Sequence, residues 1–465
     1  MKQKRSFASY AIAFCILGVI FNFFYSGLQN DQINIIQGYS AWGNQATLMP
    51  ITIGNLVCIL LTFVFGTCFI KFGVRKTLIP CILISALGCL GIAAANGIAS
   101  VSGVEIASQA INSTEVQGNY PLYAASLFIV RCSCMCFQMA GFQLAASWFI
   151  RYRGRVLGII TIGSPLFSVI GTSVMNSFIA THFNGDYRPF YVGVCVILVV
   201  IAILSGLLLR DYPEDVGLYP DGADHAPISE ANEEEVQLSV KEVLTQKKTW
   251  ILFVSFGIYQ MIIGMCMASM VVWFTHLCMA NQEVVAAGPL AGLFEAMGPM
   301  TLFLGQAAKW LSVGAILGIP MSFVFGVVDD KLGTPVASMM LGLTELLPVL
   351  GLMMQKQAVS STGACNVTWL IIWGFGVACM TGGVPTMHPA SISFAFGRKE
   401  YQAANRVIMA MQLIPAAFGA TIMVALINSA NDMSGWYLCI ALIVIALIFT
   451  LPMFKMKDAN AEDRG

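Results

Sequence analysis

Long apolar runs separated by polar intervals make up most of this 465-residue chain. A helix needs about 20 largely apolar residues to cross a bilayer, and the chain contains twelve runs of about that length. We place the first six near 8–28, 47–70, 77–98, 121–149, 155–180 and 189–209, and the second six near 250–275, 306–328, 335–355, 367–393, 403–428 and 434–454. The pattern predicts an all-α integral membrane protein with twelve transmembrane helices in two six-helix bundles.

The interval between the two groups of helices is longer and more acidic than the others. It runs from Arg210 to about Lys248 and contains the triplet Glu233 to Glu235, so it is too polar to enter lipid. Its last part, from Ser239 to Thr249, has apolar residues at helical spacing and predicts a helix along the membrane surface. We expect an N-terminal six-helix bundle at 1–210, an acidic cytoplasmic linker with this surface helix at 211–249, and a C-terminal six-helix bundle at 250–465.

Composition and charge support the same class of protein. The chain is 57% hydrophobic and 10% charged, whereas a soluble domain carries about 25% charged residues. Its net charge of zero gives no reason to expect a nucleic-acid partner, and the lipid bilayer is the expected surrounding. Most of the 14 cysteines lie in apolar runs and are expected to pack as small residues. Cys132 and Cys136 share a helix face without a nearby His or carboxylate, so we predict no metal site and no cofactor.

The distribution of lysine and arginine predicts how the chain crosses the membrane. With the N-terminus inside, only Arg188 and Lys356 fall outside, and Arg131 and Lys309 fall within helices. The remaining 20 of the 24 basic residues (24 − 4) then lie on the cytoplasmic side. This agrees with the excess of lysine and arginine that cytoplasmic loops of membrane proteins carry. We expect a multi-pass protein of the cell inner (plasma) membrane with both termini cytoplasmic. The basic start, Met1 to Arg5, precedes an apolar run too long for a signal peptide, so we expect that run to remain as the first helix.

One motif occurs in both halves, at the end of the second helix of each. It is a glycine, four residues, a lysine, one residue and a glycine. Ordinary basic turns are the alternative interpretation, but the matching position favours two pseudo-symmetric six-helix bundles. The motif residues are Gly66, Lys71 and Gly73 in the first half, and Gly326, Asp330, Lys331 and Gly333 in the second.

These residues resemble the signature of the major facilitator superfamily between helices 2 and 3. The second copy matches it at Gly326, Asp330, Lys331 and Gly333. The first matches at Gly66, Lys71, Gly73, Arg75 and Lys76, but Ile70 replaces the signature acid. Arg131 is similar to the arginine that the superfamily carries in helix 4. The resemblance covers nearly the whole chain and implies the superfamily's fold and a transport function.

A finer resemblance is to the branch of oxalate–formate antiporters and monocarboxylate porters. It lies in Trp148 to Gly154, in Gly217 to Gly222 and in Lys247 to Trp250. The chain departs from that branch at Ser322, where a basic residue is common, and in helix 11, which offers only Arg406 at its cytoplasmic end. The anion-binding residues of that branch therefore do not transfer to this chain.

The superfamily resemblance also implies a cytoplasmic gate. Its motif acids face the starts of helix 11 and helix 5, where an acid meets the positive end of the helix dipole. We expect Asp330 to keep this contact with the start of helix 5, at Gly154 and Arg155. Because Ile70 is not an acid, we expect Arg406 to have no partner from the first motif.

A charge within the bilayer is costly and is a candidate for function. Arg131 lies near the middle of helix 4, which lines the cavity in this superfamily, so we expect it to bind an anionic group; a structural arginine bonded to backbone carbonyls is the alternative. Lys309, Glu345 and His388 are weaker candidates, with snorkelling or packing as alternatives. The other predicted substrate-binding residues lie on cavity-lining helices and are Asn22, Tyr25, Gln138, Tyr259, Gln260, Trp373 and Thr381.

We therefore expect a secondary transporter of small organic anions, above all carboxylates, working by alternating access with its substrate at the midplane between the halves. Proton symport or anion exchange would drive it, since the chain has no ATP-binding motif, and it lacks the spacing of a catalytic triad, so we expect no enzyme. We expect a monomer. One alternative is efflux of apolar or aromatic compounds, and another is a membrane sensor that does not transport.

Overall fold

The computed structural model describes residues 7–28, 44–95, 119–170, 176–183, 187–224, 238–268, 270–288, 299–429 and 431–459. Within these ranges every regular element is helical. The acidic triplet at 233–235, on which the predicted linker depends, lies outside the described residues.

The N-terminal half contributes eight α-helices to the described part of the chain. They are α1 (Phe7–Ser26), α2 (Asn44–Phe72), α3 (Val74–Ala94), α4 (Tyr120–Trp148), α5 (Arg153–Thr161), α6 (Gly163–Ile170), α7 (Asn176–Phe183) and α8 (Arg188–Leu208). The fifth predicted crossing, near 155–180, is thus divided among α5, α6 and α7. The first division lies at Ile162, beside Gly163, whose missing Cβ lets the carbonyl oxygen of Val19 in α1 approach the backbone.

The C-terminal half contributes ten more helices within the described residues. They are α9 (Val240–Thr245), α10 (Lys247–Ala268), α11 (Met270–Ala280), α12 (Gln282–Ala287), α13 (Pro299–Leu332), α14 (Thr334–Thr344), α15 (Leu346–Met353), α16 (Gln355–Thr362), α17 (Val367–Ile427) and α18 (Ser434–Thr450). At 61 residues α17 would be about 90 Å long, three times the thickness of a bilayer core. Gly397, with φ 70° and ψ −176°, breaks it into two lengths that each suit one crossing.

Ten helical stretches of the described chain are long and apolar enough to cross a membrane, and one of them, Thr334–Thr362, joins α14, α15 and α16. Dividing α17 at Gly397 gives eleven crossings, and α5 to α7 together occupy the twelfth predicted run. The prediction of an all-α membrane protein with twelve helices in two bundles is confirmed.

Contacts divide the chain into two compact units. The first contains Met1–Leu238, Phe396–Val407 and Asn460–Gly465, and the second contains Ser239–Ala395 and Ile408–Ala459. The predicted limits of the linker stay a prediction. The predicted surface helix is shorter than expected, since α9 begins after a capping box of Ser239 and Glu242 and ends before Gln246. The hydrogen bond from the Ser239 N–H lowers the pKa of Glu242.

Small residues bring the helices of the first unit close together. Gly88 and Gly91 of α3 lie against Val130 and Ser126 of α4, where a Cβ would clash. Such small-residue contacts are typical of membrane helices, which gain little from the hydrophobic effect against one another.

The second unit has a large core that includes several aromatic side chains. The rings of Trp273 and Trp436 pack edge to face 5.2 Å apart, and the Trp273 indole N–H donates to the carbonyl oxygen of Leu352 at 2.9 Å. This bond joins α11 to α15, and close glycine contacts such as that of Gly376 with Pro348 also occur in this unit.

Candidate functional site

The first candidate site is built around Arg131 in α4. This arginine lies 11 residues after Tyr120 (131 − 120) and 17 before Trp148 (148 − 131), in the middle of its helix. Its side chain is buried, with 3% of its surface exposed. A guanidinium stays ionised in proteins, so the helix carries a fixed positive charge at membrane depth.

Two side chains hold the Arg131 guanidinium. Its Nε donates to Oδ1 of Asn55 in α2 at 2.5 Å, and its Nη1 lies 3.8 Å from the sulfur of Cys134, one turn further along α4. No hydrogen bond from Nη2 is found among the described residues. A planar guanidinium has five N–H donors, so this arrangement leaves donors of Nη2 available to a ligand.

A glycine makes room for the stem of this arginine. A Cβ at Gly54 would lie 2.7 Å from Cγ of Arg131. Gly54 therefore leaves room for the stem of Arg131, and the next residue, Asn55, accepts a hydrogen bond from its guanidinium.

The other predicted residues of the first unit lie at different distances from this charge. Tyr25 is half-buried, and its hydroxyl is near enough to Arg131 to interact with it electrostatically. Gln138 is half-buried and lies seven residues after Arg131, hence on the same helix face two turns on. Asn22 is fully buried, donates to the carbonyl oxygen of Gly18 at 3.1 Å, and packs beside Gly141 and Gly163 at a helix contact.

The predicted residues of the second unit do not share one environment. The Tyr259 hydroxyl bonds Oγ1 of Thr450 in α18 at 3.1 Å and lies over Gly342 of α14. Trp373 is fully buried in the aromatic core, and among the described residues its indole N–H has no hydrogen-bond acceptor. Gln260 and Thr381 are half-buried, and Thr381 bonds the carbonyl oxygen of Val377. Their substrate roles stay predictions.

The three weaker ionisable candidates also differ. Glu345 is fully buried at the junction of α14 and α15, and neither of its oxygens has a hydrogen-bond partner among the described residues. His388 is buried with the ring of Phe256 6.4 Å away. Lys309 belongs to α13, but its side chain lies outside the described part of the structure.

The two motif turns have the same backbone. Gly73 caps α3 with φ 85° and ψ 161°, and Gly333 caps α14 with φ 89° and ψ 156°. These values belong to a region that is almost restricted to glycine. The repeat seen in the sequence is therefore also a repeat of conformation, which explains why both glycines are needed.

The first turn binds an acid that the sequence did not suggest. Oδ1 of Asp211, which follows α8, accepts the backbone N–H of Arg75 at 2.8 Å, at the positive end of α3. The Arg75 guanidinium bonds the carbonyl oxygen of Gly206. Burial raises the pKa of Asp211, and the Arg75 N–H offsets that rise in part. Asp211 thus places an acid at the start of α3, whereas the signature acid that Ile70 replaces would face the start of helix 11.

The expectation that Arg406 has no partner from the first motif is wrong. Its Nη1 donates to the hydroxyl of Thr67 at 3.2 Å, and a Cβ at Gly66 would clash with its stem. Thr67 replaces the missing acid with a neutral acceptor, which sequence comparison with the signature does not reveal. Asp330 is half-buried and Lys71 and Lys331 are exposed. The pairing of Asp330 with the start of helix 5 stays a prediction.

A second arginine of segment 396–407 was not predicted at all. Arg398 donates through Nε to the carbonyl oxygen of Ser147 at 2.7 Å and through Nη2 to both oxygens of Glu214 at 2.8 and 3.0 Å. Its guanidinium also lies over the ring of Tyr212, and its side chain is 5% exposed. The arginine of this ion pair is buried, whereas the Glu214 side chain is 36% exposed. Thus Arg398 and Arg406 both bind within the first unit.

Comparison with known proteins agrees with this fold. A family model described as Major Facilitator Superfamily matches residues 6–387. The chain is similar to a structure of the proton:xylose symporter XylE bound to 6-bromo-6-deoxy-D-glucose, with a TM-score of 0.64 and 14% identity over 98% of this chain and 99% of that one. It is also similar to the E. coli fucose:proton symporter FucP, with a TM-score of 0.61 and 15% identity over 95% and 98% of the two chains. No curated protein sequence matches.

Proposed function

We propose, since this chain belongs to the Major Facilitator Superfamily, that it transports small organic anions, above all carboxylates, across a cell membrane. The family match covers 382 of its 465 residues (387 − 6 + 1), and the protein is a multi-pass membrane transporter and not an enzyme. The substrate class is our inference from the residues of the first unit.

The buried guanidinium of Arg131 carries this proposal. It is a positive charge in the middle of a membrane helix, and the described side chains around it include no carboxylate within hydrogen-bonding distance. An unneutralised charge at such a depth is costly. A bound carboxylate would neutralise it and accept the N–H donors of Nη2, because guanidinium and carboxylate match in charge and in planar geometry.

The finer assignments follow from the sequence. We assign the chain to the branch of oxalate–formate antiporters and monocarboxylate porters, with proton symport or anion exchange as the driving force. The distribution of its basic residues supports an inner-membrane protein with both termini in the cytoplasm. We assign it as a monomer.

The test is uptake into proteoliposomes. The purified protein is given labelled formate, acetate, lactate, oxalate or benzoate, with and without a proton gradient and with and without an internal anion. Wild type should accumulate at least one of these. Arg131→Lys keeps the charge and loses the planar fork, so its KM should rise about tenfold, whereas Arg131→Ala should be inactive.

The matched control is Arg188→Ala, which removes an exposed arginine at the start of α8 and should transport normally. Full carboxylate transport by a folded Arg131→Ala protein would overturn the proposal. So would transport of apolar compounds alone, which would favour efflux of such compounds as the function.

A further inference from the structure

We infer that Asn55 is the positioning residue of this transporter: it orients the Arg131 guanidinium so that its Nη2 edge faces the bound anion. The inference rests on the proposed function and adds to it a residue that no sequence motif suggested. It follows from the depth of Asn55, from the direction of its hydrogen bond and from its position beside Gly54.

Asn55 and Arg131 lie at the same depth in the membrane. Asn55 precedes the end of α2 at Phe72 by 17 residues (72 − 55), and Arg131 precedes the end of α4 at Trp148 by 17 (148 − 131). In the predicted topology both helices end on the cytoplasmic side. Two polar residues on neighbouring parallel helices therefore meet at one level, about 26 Å from the cytoplasmic ends.

The hydrogen bond fixes which edge of the guanidinium is free. The amide oxygen of Asn55 takes the Nε proton at 2.5 Å, and the sulfur of Cys134 lies against Nη1. These two contacts hold the guanidinium plane, and the unused donors among the described contacts are one N–H of Nη1, both N–H groups of Nη2 and the Asn55 amide nitrogen. Holding a ligand-binding group in one orientation lowers the entropy lost on binding.

A role in packing alone does not explain this asparagine. Its side chain is exposed, so it fills no space in the core of the unit, and a polar amide gains nothing from facing lipid. Its oxygen, by contrast, satisfies a donor of a side chain that is 3% exposed. The neighbouring glycine, which leaves room for the arginine stem, serves the same side chain.

The experiment compares Asn55→Ala and Asn55→Asp with wild type and with Leu56→Ala. Leu56 is the next residue of α2 and is 54% exposed, so its truncation controls for loss of an exposed side chain. Asn55→Ala frees the guanidinium and should raise KM for the transported carboxylate about tenfold with kcat changed less than twofold. Asn55→Asp pairs Arg131 with a fixed carboxylate and should reduce uptake at least a hundredfold.

A measurement without substrate accompanies the transport assay. In protein labelled with ¹⁵N-arginine, the Nε resonance that disappears in Arg131→Lys belongs to Arg131. That resonance should shift in Asn55→Ala and stay in place in Leu56→Ala.

The outcomes separate the two proposals. If Arg131→Ala abolishes uptake but Asn55→Ala and Asn55→Asp keep wild-type KM, the inference fails and the proposed function stands. If the Arg131 resonance does not move in Asn55→Ala, the hydrogen bond is absent and the inference also fails. If Arg131→Ala transports carboxylates normally, both the proposed function and this inference fail.

Discussion

Arg131 and Glu345 are both ionisable side chains buried within membrane helices, but their surroundings have opposite consequences. Arg131 meets acceptors in Asn55 and Cys134. Both oxygens of Glu345 lack a hydrogen-bond partner among the described residues. Its neighbour Tyr259 uses its hydroxyl to bond Thr450 instead. Hydrogen bonds therefore stabilise the charge of Arg131, whereas no described hydrogen bond would stabilise a charge on Glu345.

Glu345→Gln should leave both folding and transport nearly unchanged. The amide has the same shape as the acid and cannot ionise, and an unpaired buried charge costs several kcal/mol. We expect an unfolding free energy within about 1 kcal/mol of wild type, measured by thermal unfolding in detergent. Glu345→Ala should be less stable by about 1–3 kcal/mol, because it leaves a cavity. A folded Glu345→Gln protein that kept exchange but lost proton-driven accumulation would instead identify Glu345 as a proton carrier.

At the level of the elements, the two motif turns are alike in backbone and unlike in their surroundings. Among the described residues, a Cβ at Gly333 would meet only Cδ of Pro335, at 3.8 Å, whereas a Cβ at Gly73 would clash with Oδ2 of Asp211. An alanine at position 333 would therefore be strained by its backbone conformation, whereas an alanine at position 73 would also clash with Asp211.

Gly333→Ala should destabilise the protein by about 1–3 kcal/mol, and Gly73→Ala by more. Adding Asp211→Ala should recover part of the loss in Gly73→Ala and none in Gly333→Ala. A double-mutant cycle on thermal unfolding measures this coupling. Equal losses in the two glycine variants, with no coupling to Asp211, would contradict the described contact.

Three elements of the second unit meet at a charged cluster. Asp432, between α17 and α18, accepts Nζ of Lys356 in α16 at 2.6 and 2.7 Å and lies 3.0 Å from Nε2 of His276 in α11. Partial burial raises the pKa of Asp432, but the hydrogen bonds from Lys356 and His276 outweigh it, so the pKa lies below its usual value. The cluster therefore depends on the ionised form of Asp432.

The stabilisation from this cluster should disappear in acid. An Asp whose folded pKa is depressed contributes stability that is present above its unfolded pKa, about 3.9, and is lost as pH falls through the folded value. Asp432→Asn should lower the stability at pH 7 by about 1 kcal/mol or less, as for other partly exposed pairs. Thermal unfolding from pH 8 to pH 3 should show the two proteins converging below about pH 4. A constant difference over this range would disprove the linkage.

For the whole molecule, the sequence was sufficient for the fold but not for the site. Apolar runs of about 20 residues placed the helices, since bilayer thickness alone determines that length. The fifth run divides at Ile162, next to the contact of Gly163 with α1, and the apolar pattern does not show that contact. Arg131 was found because charge is rare in lipid, whereas Asn55 resembles any polar residue of a helix until the register of α2 against α4 is known. Arg398 and Glu214 are 184 residues apart, so no spacing rule connects them.

Asp330→Asn should shift the protein toward the state open to the cytoplasm, and Ile70→Asp should shift it back. If the predicted pairings hold, each change removes or adds an acid at the positive end of a helix, worth about 0.3–1 kcal/mol, or a factor of about two to five in population. Ile70→Asn is the neutral control. Electron–electron distances between spin labels at the cytoplasmic helix ends provide the measurement. An unchanged distance distribution in Asp330→Asn would mean that other contacts hold the gate.

Segment 396–407 has a further consequence for how the protein is made. By its contacts it belongs to the first unit, whose preceding part ends at Leu238, so 157 residues (395 − 239 + 1) lie between these two parts along the chain. Ser147, Glu214 and Thr67 meet Arg398 and Arg406 only when this segment has been synthesised. At about 5–20 residues per second, the ribosome reaches it roughly 10–30 s after Leu238. During that interval Ser147, Glu214 and Thr67 have been synthesised, but the arginines that donate hydrogen bonds to them have not.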